Sequence, residues 1–140
     1  FTKAILNNEP IKIFNNGNML RDFTYIEDLV ESLYRLISKP PLESQKSCSI
    51  IRSPEDSWAP YKIFNIGNSN PTPLMDYVKA IEVSLGKKAK KEFLPIQPGD
   101  VEATSANCEK LEQWIGYKPS TSVNEGVSKF IDWYKKYYCC

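Results

Sequence analysis

The sequence predicts a single α/β domain in which short strands pack with about four to five helices. Apolar residues recur at steps of three and four in several segments, a spacing typical of amphipathic helices. Short apolar runs bounded by proline, asparagine or glycine separate these segments and indicate strands. The 140 residues, of which 41% are hydrophobic and 25% charged, suffice for one globular core but not for two full-sized domains.

The start of the chain is predicted to contain, in this order, a helix, a strand, a turn, a second strand and a second helix. Apolar side chains share one helical face in residues 1–6, and no capping residue precedes them, so this helix is expected to begin before Phe1. Residues 11–14 alternate as in a strand, 15–18 form a tight turn, and 19–26 form a second extended stretch. A helix with one buried face is predicted from Glu27 to Ser38, and its apolar residues are Ile26, Leu29, Val30, Leu33 and Ile37.

The middle of the chain is predicted to contain a loop, a strand and a helix. Residues 39–60 are rich in proline, serine and charged residues, which indicates a loop or an insertion. The apolar run 61–67 is a predicted strand. Thr72 and Pro73 are the expected capping residue and first residue of a helix that Gly86 ends.

A strand, a turn and two helices are predicted after a run of lysines. The lysines at 87, 88, 90 and 91 lie beside the negative end of the preceding helix, so we interpret them as a solvated surface rather than a phosphate-binding patch. Residues 93–96 form the strand and 97–100 the turn. A small helix runs between Asn107 and Gly116, and Ser122 with Glu125 forms a capping box for the last helix.

Composition excludes several classes of function. Eighteen basic and seventeen acidic residues give a net charge of +1, which offers no support for a nucleic-acid or anionic-membrane partner. The absence of histidine excludes imidazole catalysis and histidine-ligated metals, and no metal site is expected. No C-x-x-C pair occurs, and we expect free thiols in the reducing cytoplasm at Cys48, Cys108, Cys139 and Cys140.

Arg21 and Asp100 are the residues best placed to bind a ligand. Arg21 follows a tight turn, where a guanidinium can grip a phosphate through two hydrogen bonds; the alternative is a surface ion pair with Asp22. Asp100 ends the turn Gln97–Asp100, where its carboxylate can accept from both hydroxyls of a ribose; the alternative is an ordinary turn residue that caps the next segment. Both alternatives remain open on the residues alone, and no pattern marks a catalytic group.

Several motifs become specific when they are taken together. Residues 13–28 (IFNNGNMLRDFTYIED), 59–68 (APYKIFNIGN), 74–77 (LMDY), 97–101 (QPGDV) and 116–121 (GYKPST) span nearly the whole chain. They resemble the carboxyl-terminal half of extended short-chain dehydrogenase/reductases that act on nucleotide sugars, and are most similar to the UDP-glucuronate 4-epimerases. The resemblance implies that residues 1–140 form the carboxyl-terminal, substrate-binding part of an extended Rossmann-type enzyme.

The resemblance implies an NAD-dependent isomerase that interconverts UDP-glucuronate and UDP-galacturonate. In such enzymes NAD takes hydride from C4 of the sugar and returns it to the opposite face. The family's glycine-rich motif and its Tyr-x-x-x-Lys pair match nothing here, so we expect the amino-terminal NAD-binding part to be absent and the isolated chain to be inactive. A UDP-sugar is the implied partner. Self-association or a homodimer is expected, because an unpaired strand at 61–67 would expose an apolar sheet edge.

The resemblance also assigns roles to individual residues. Arg21 is the implied diphosphate contact and Asp100 the ribose contact, while Lys12 and Phe14 match backbone positions that hold the uracil. Gln97 occupies a position where some relatives carry a second phosphate-binding arginine, and glutamine cannot supply that charge. The alternatives are a UDP-N-acetylglucosamine 4-epimerase, a nucleotide-sugar 4,6-dehydratase, a UDP-glucuronate decarboxylase, and a non-catalytic nucleotide-sugar-binding or scaffolding module.

Overall fold

Five α-helices and four short strands alternate in the computed structural model, which describes residues 1–42 and 59–140. The helices are α1 (Thr2–Leu6), α2 (Ile26–Ser38), α3 (Leu74–Leu85), α4 (Glu109–Ile115) and α5 (Val123–Tyr138). The strands are β1 (Pro10–Ile13), β2 (Leu20–Arg21), β3 (Thr72–Pro73) and β4 (Lys90–Phe93). This alternation confirms the predicted α/β class. Most of the predicted loop 39–60 lies outside the described residues, and residues 39–42 and 59–60 belong to no helix or strand.

The core lies where the parallel pair β1–β4 meets helices α1, α3 and α5. Strand β1 buries Ile11 and Ile13 while its other side chains face outward, as the predicted alternation requires. Helices contribute the other buried side chains of this core cluster, which are Ile5, Val78, Ala80, Ile81, Val127 and Ile131. One side of α3 and one side of α5 therefore lie in the core, as the helical spacing of apolar residues indicates.

A second, antiparallel pair joins β2 to β3 and differs from the prediction at both strands. The predicted extended stretch 19–26 forms a strand only at Leu20–Arg21, and Thr72 pairs with Arg21 instead of capping α3. Pro73 occupies the capping position of α3, because the strand pairing keeps Thr72 extended. Leu20 also bridges Ala103 in parallel, so β2 lies between two other segments of the chain.

Two other predicted strands are placed differently. Strand β4 begins at Lys90 and ends at Phe93, earlier than the predicted 93–96, because the register with β1 pairs Pro10 with Lys90. Residues 61–67 form no strand beyond a single bridged residue at position 62. A strand needs hydrogen bonds to a neighbour along its length, and hydrophobic alternation cannot supply that neighbour.

Helix α2 begins one residue before the predicted Glu27 and ends at the predicted Ser38, but its apolar side faces outward. Its buried residues are Asp28 and Ser32, while Val30, Leu33 and Ile37 are 46–80% exposed. The Asp28 carboxylate accepts hydrogen bonds from the α4–α5 connection, and this polar anchoring turns the charged side of the helix inward. The prediction that the apolar face of this helix is buried is wrong for the described residues.

Three helices begin or end at the capping residue that the sequence predicts. Gly86 and Gly116 end α3 and α4 in the left-handed region, at φ 67° and 64°. The Ser122 hydroxyl accepts from the Glu125 N–H at 3.2 Å and caps α5. The Glu125 carboxylate pairs with Lys129 instead of the Ser122 N–H, so only half of the predicted capping box forms. No helix within residues 1–42 and 59–140 is long and apolar enough to cross a bilayer.

Glu82 of α3 is a buried carboxylate that joins α3 to β4. It accepts from the Ala89 N–H at 2.8 Å and from the ammonium groups of Lys88 and Lys91, so part of the predicted lysine surface is used for pairing. The bonds from Lys91 and Ala89 outweigh the opposing effect of burial and lower the pKa of Glu82 from 4.5 to about 2.

This lowered pKa predicts acid-sensitive stability. A carboxyl whose pKa is lower in the folded state stabilises the fold above its unfolded pKa, and that contribution is lost as pH falls through the folded pKa. We expect Glu82 to account for a loss of roughly 3 kcal/mol in unfolding free energy between pH 4.5 and pH 2. Urea denaturation across this range is the measurement. Glu82→Gln should flatten the pH dependence and Glu92→Gln, at an exposed position, should not; equal slopes in both variants would contradict the assignment.

Candidate functional site

A strongly curved turn delivers Arg21 to the surface. After β1, residues Phe14–Gly17 form a left-handed 3₁₀-type turn in which Asn15, Asn16 and Gly17 all have positive φ, at 51°, 50° and 83°. Asparagine and glycine tolerate this conformation best, which confirms the predicted turn. The Asn15 amide donates to the Asn18 carbonyl at 2.8 Å and closes the turn. Strand β2 follows and ends at Arg21.

The structure brings Arg21 and Asp100 into direct contact. The Arg21 Nη2 donates to Asp100 Oδ1 at 3.0 Å, and the two side chains are 22% and 32% exposed. Asp100 lies on the predicted turn, which the Asp100 N–H closes by donating to the Gln97 carbonyl at 3.1 Å, with Gly99 at φ 84°. Two residues 79 positions apart in sequence therefore occupy one site. The alternative in which Arg21 pairs with Asp22 does not describe this structure.

Backbone carbonyls fix the rest of the Arg21 guanidinium. Its Nη1 donates to the carbonyls of Leu20 at 2.9 Å and Glu102 at 3.2 Å. The same Glu102 carbonyl accepts from the Leu20 N–H at 2.8 Å, and the Thr104 N–H donates to the Leu20 carbonyl at 3.1 Å. The guanidinium is thus held between β2 and residues 102–104, with Asp100 as its one charged partner among the described residues.

None of the side-chain contacts described for Arg21 involves the other three predicted ligand residues, which are Lys12, Phe14 and Gln97. Lys12 is exposed on β1 opposite Glu92, and Phe14 is half-buried in the 3₁₀ turn. This turn is joined to the segment that leads to Gln97, because Leu94 exchanges hydrogen bonds with Ile13 and Asn16 at 2.9 and 3.0 Å. Their assignment as ligand residues stays a prediction.

Asp22, which the sequence suggested only as an alternative ion-pair partner of Arg21, instead holds the backbone beside Arg21 in place. Its carboxylate accepts from the backbone N–H groups of Ser69 and Ala106, both at 3.1 Å, and of Asn70 at 3.4 Å. Gly67 allows this close approach, since a Cβ there would lie 2.7 Å from the Ala106 Cβ. Asp22 therefore ties β2 to two distant segments immediately beside Arg21. Nothing in its local sequence marks these partners.

An apolar cavity lies beside residues 23–26, which follow β2 in the chain. The Phe23 and Tyr77 rings stack at 4.3 Å and 12°, and Tyr25, Val127 and Phe130 complete much of the wall of a cavity of about 240 Å³. Burial raises the pKa of Tyr77, so its hydroxyl stays protonated at neutral pH. Arg21 and Asp100 do not line this cavity. Residues 1–42 and 59–140 hold no cluster of three or more residues suited to binding a metal ion.

Comparison with known proteins identifies the family. Residues 1–130 match the family model described as GDP-mannose 4,6 dehydratase, which belongs to the extended short-chain dehydrogenase/reductases. The chain belongs to this family. As an extended short-chain dehydrogenase/reductase it has the fold class that the ordered motifs implied, with several short strands and helices from the carboxyl-terminal part of the fold.

Relatives in this family include proteins named as epimerases. The chain is 49% identical over 138 residues to Protein CapI of Staphylococcus aureus. It is 42% identical over 144 residues to a probable UDP-glucuronate 4-epimerase of Rhizobium meliloti. Each match covers 99% of this chain and 41% of the relative, so the chain spans about two fifths of the length of these relatives.

Solved structures of the extended short-chain dehydrogenase/reductases match the same region. UDP-glucuronic acid 4-epimerase from Bacillus cereus, in complex with UDP-glucuronic acid and NAD, has a TM-score of 0.74 and 27% identity. That match covers 98% of this chain and 38% of the other. A complex of MoeE5 with UDP-glucose and NAD has a TM-score of 0.77 at 23% identity, which shows the shared fold.

Proposed function

We propose that this chain forms the nucleotide-sugar-binding part of an NAD-dependent UDP-sugar 4-epimerase of the UDP-glucuronate type. The observation that carries the proposal is the contact of Arg21 with Asp100 in one site. A guanidinium suits a diphosphate, and a carboxylate suits the paired hydroxyls of a ribose. The two chemistries that a UDP-sugar requires thus lie side by side. The names of the relatives at 35–42% identity favour the 4-epimerase over a 4,6-dehydratase.

The residues of this chain do not fit NAD. The six glycines include no G-x-G-x-x-G, and no tyrosine is followed four residues later by lysine. We therefore assign NAD to the whole enzyme and derive no redox step from these residues. Binding energy from the diphosphate and nucleoside would hold the sugar while chemistry proceeds elsewhere. The chain of residues 1–140 alone is expected to show no epimerase turnover with UDP-glucuronate and NAD.

Calorimetric titration of UDP into the folded chain tests the binding role. We expect one saturable site, with UDP-glucuronate bound at least as well as UDP because the diphosphate and nucleoside are shared. The affinity should fall with added salt, since a charged contact contributes. A folded chain that binds neither ligand would contradict the proposed function, and so would turnover above background by this chain in the epimerase assay.

We also propose that two copies of the chain associate through the exposed apolar side of α2. Val30, Leu33 and Ile37 form a continuous stripe on it, and burying such a stripe against a second copy is favourable. Sedimentation analysis over a range of concentrations is the measurement. Val30→Lys should shift the chain to monomer, while Lys110→Ala on α4 should not. A monomer at all concentrations would contradict this prediction. We propose separately that the protein lies in the cytoplasm, as expected from cysteines read as free thiols.

A further inference from the structure

We propose that Asp100 competes with phosphate for Arg21 and thereby makes the site selective for nucleoside diphosphates over free pyrophosphate. This inference rests on the proposed function, because it concerns the same two residues. It follows from the hydrogen bonds that Arg21 already makes. It assigns Asp100 a role that a ribose contact alone does not have.

Most N–H groups of the Arg21 guanidinium already donate to an acceptor within the protein. Its Nη1 donates to the carbonyls of Leu20 and Glu102, and its Nη2 donates to Asp100 Oδ1 at 3.0 Å and to the Met19 Sδ at 3.7 Å. Among the described residues only the Nε–H has no acceptor, and one N–H cannot grip a phosphate in a bidentate way. A bidentate grip on phosphate requires two parallel N–H groups, so an incoming phosphate must take over a bond that already exists.

Asp100 is the partner that a phosphate can displace. The carbonyls of Leu20 and Glu102 belong to backbone that is hydrogen-bonded between β2 and residues 102–104. The Met19 side chain is buried, so the N–H that faces it is closed to an incoming anion. The Asp100 side chain is instead one-third exposed and can rotate away from Nη2. Two anions cannot share one Nη2 favourably, because like charges at contact distance repel. Phosphate binding therefore releases the carboxylate.

What happens to the released carboxylate decides the selectivity. With free pyrophosphate it would lie unpaired beside a second anion. A nucleoside diphosphate carries ribose hydroxyls, which can donate to Asp100 and replace the hydrogen bond it has lost. Asp100 thus disfavours every diphosphate, and the ribose compensates only when a nucleoside is attached.

The substitution Asp100→Asn separates the competition for Arg21 from the hydrogen bonds to the ribose. Asp100→Asn keeps the side-chain size and the oxygen that accepts from the Val101 N–H at 2.9 Å, but it loses the charge. Pyrophosphate affinity should rise about fivefold, since an ion pair of this exposure is modest in strength. UDP affinity should stay the same or fall. A general loss of folding would weaken the binding of both ligands and cannot produce a gain in pyrophosphate affinity.

Glu102→Gln is the matched control. It removes the same charge two residues away, and the contacts described for Glu102 with Arg21 and Leu20 involve its backbone carbonyl. Calorimetry with inorganic pyrophosphate and with UDP should be run on the unmodified chain and on both variants. We expect Glu102→Gln to change the pyrophosphate affinity by less than about twofold, as a screened surface charge would.

The outcomes separate this inference from the proposed function. A larger gain in pyrophosphate affinity for Asp100→Asn than for Glu102→Gln supports the competition. Equal effects, or no pyrophosphate binding by any variant, would overturn it. If no folded variant binds UDP, the proposed function is wrong, and the pyrophosphate comparison still decides whether Asp100 competes for Arg21.

Discussion

Asp28→Ala is expected to lower the free energy of unfolding by about 3 kcal/mol. The Asp28 side chain is buried and accepts from the Tyr117 hydroxyl at 2.6 Å and from the N–H groups of Thr121 and Ser120 at 2.9 and 3.2 Å. Truncation leaves all three donors without their acceptor in a partly buried place. It also removes the hydrogen bonds that tie α2 to the connection between α4 and α5 at residues 117, 120 and 121.

The ionisation states of Asp28 and Tyr117 agree with a structural role for their hydrogen bond. Burial raises the pKa of Asp28, but the hydrogen bonds from Tyr117, Thr121 and Ser120 together lower it below its ordinary value. Burial and the Asp28 carboxylate both raise the pKa of Tyr117 to about 12. At neutral pH the carboxylate is therefore charged and the hydroxyl protonated, as the short hydrogen bond requires.

Chemical denaturation of matched variants measures the effect. Glu27→Ala changes the neighbouring, exposed carboxylate and should leave the midpoint close to that of the unmodified chain. Tyr117→Phe removes one of the three donors and should have an intermediate effect, of roughly 1 kcal/mol. A midpoint for Asp28→Ala equal to that for Glu27→Ala would show that the Asp28 bonds do not anchor α2.

Arg21→Ala is expected to weaken UDP binding about 100-fold. Removing the charged partner of a diphosphate loses charge-assisted hydrogen bonds that no other described cation at this site replaces. A 100-fold change corresponds to about 2.7 kcal/mol. Arg21→Lys keeps the charge but loses the planar fork, so an intermediate loss of about tenfold is expected.

Arg35→Ala provides the control for this measurement. Arg35 lies on α2, pairs with Glu31 at 2.6 Å and covers the Tyr117 ring, away from Asp100. Its removal should leave UDP affinity unchanged. Circular dichroism at the titration concentration must show that each variant is folded. Equal UDP affinities for the folded Arg21→Ala and Arg35→Ala variants would contradict the role of Arg21.

Local chemistry made some features predictable from sequence. The Asn15–Asn16–Gly17 turn follows from the tolerance of these residues for positive φ, and the left-handed ends at Gly86 and Gly116 follow from the same property. Arg21 and Asp100 were predicted as ligand residues because each adjoins a tight turn and because the family resemblance implies the role, and the structure brings the two side chains within 3.0 Å. These signals all lie within a few residues of the feature that they predict.

Other features depend on partners that are distant in sequence. The hydrogen bonds of Asp22 and Asp28 reach residues 47 to 93 positions away, so no local pattern could reveal these anchors. The hydrophobic period of α2 predicted which side is apolar but not whether the described residues cover it. Likewise, the alternation in 61–67 could not show whether a neighbouring strand is available.

A structure of the chain bound to UDP shows directly whether Arg21 and Asp100 form the nucleotide-binding site. We expect the diphosphate against the Arg21 guanidinium, the ribose hydroxyls at the Asp100 carboxylate, and a longer separation between these two side chains than the 3.0 Å of the free protein. UDP bound instead in the cavity beside Phe23 and Tyr77, with the Arg21–Asp100 pair intact, would contradict it.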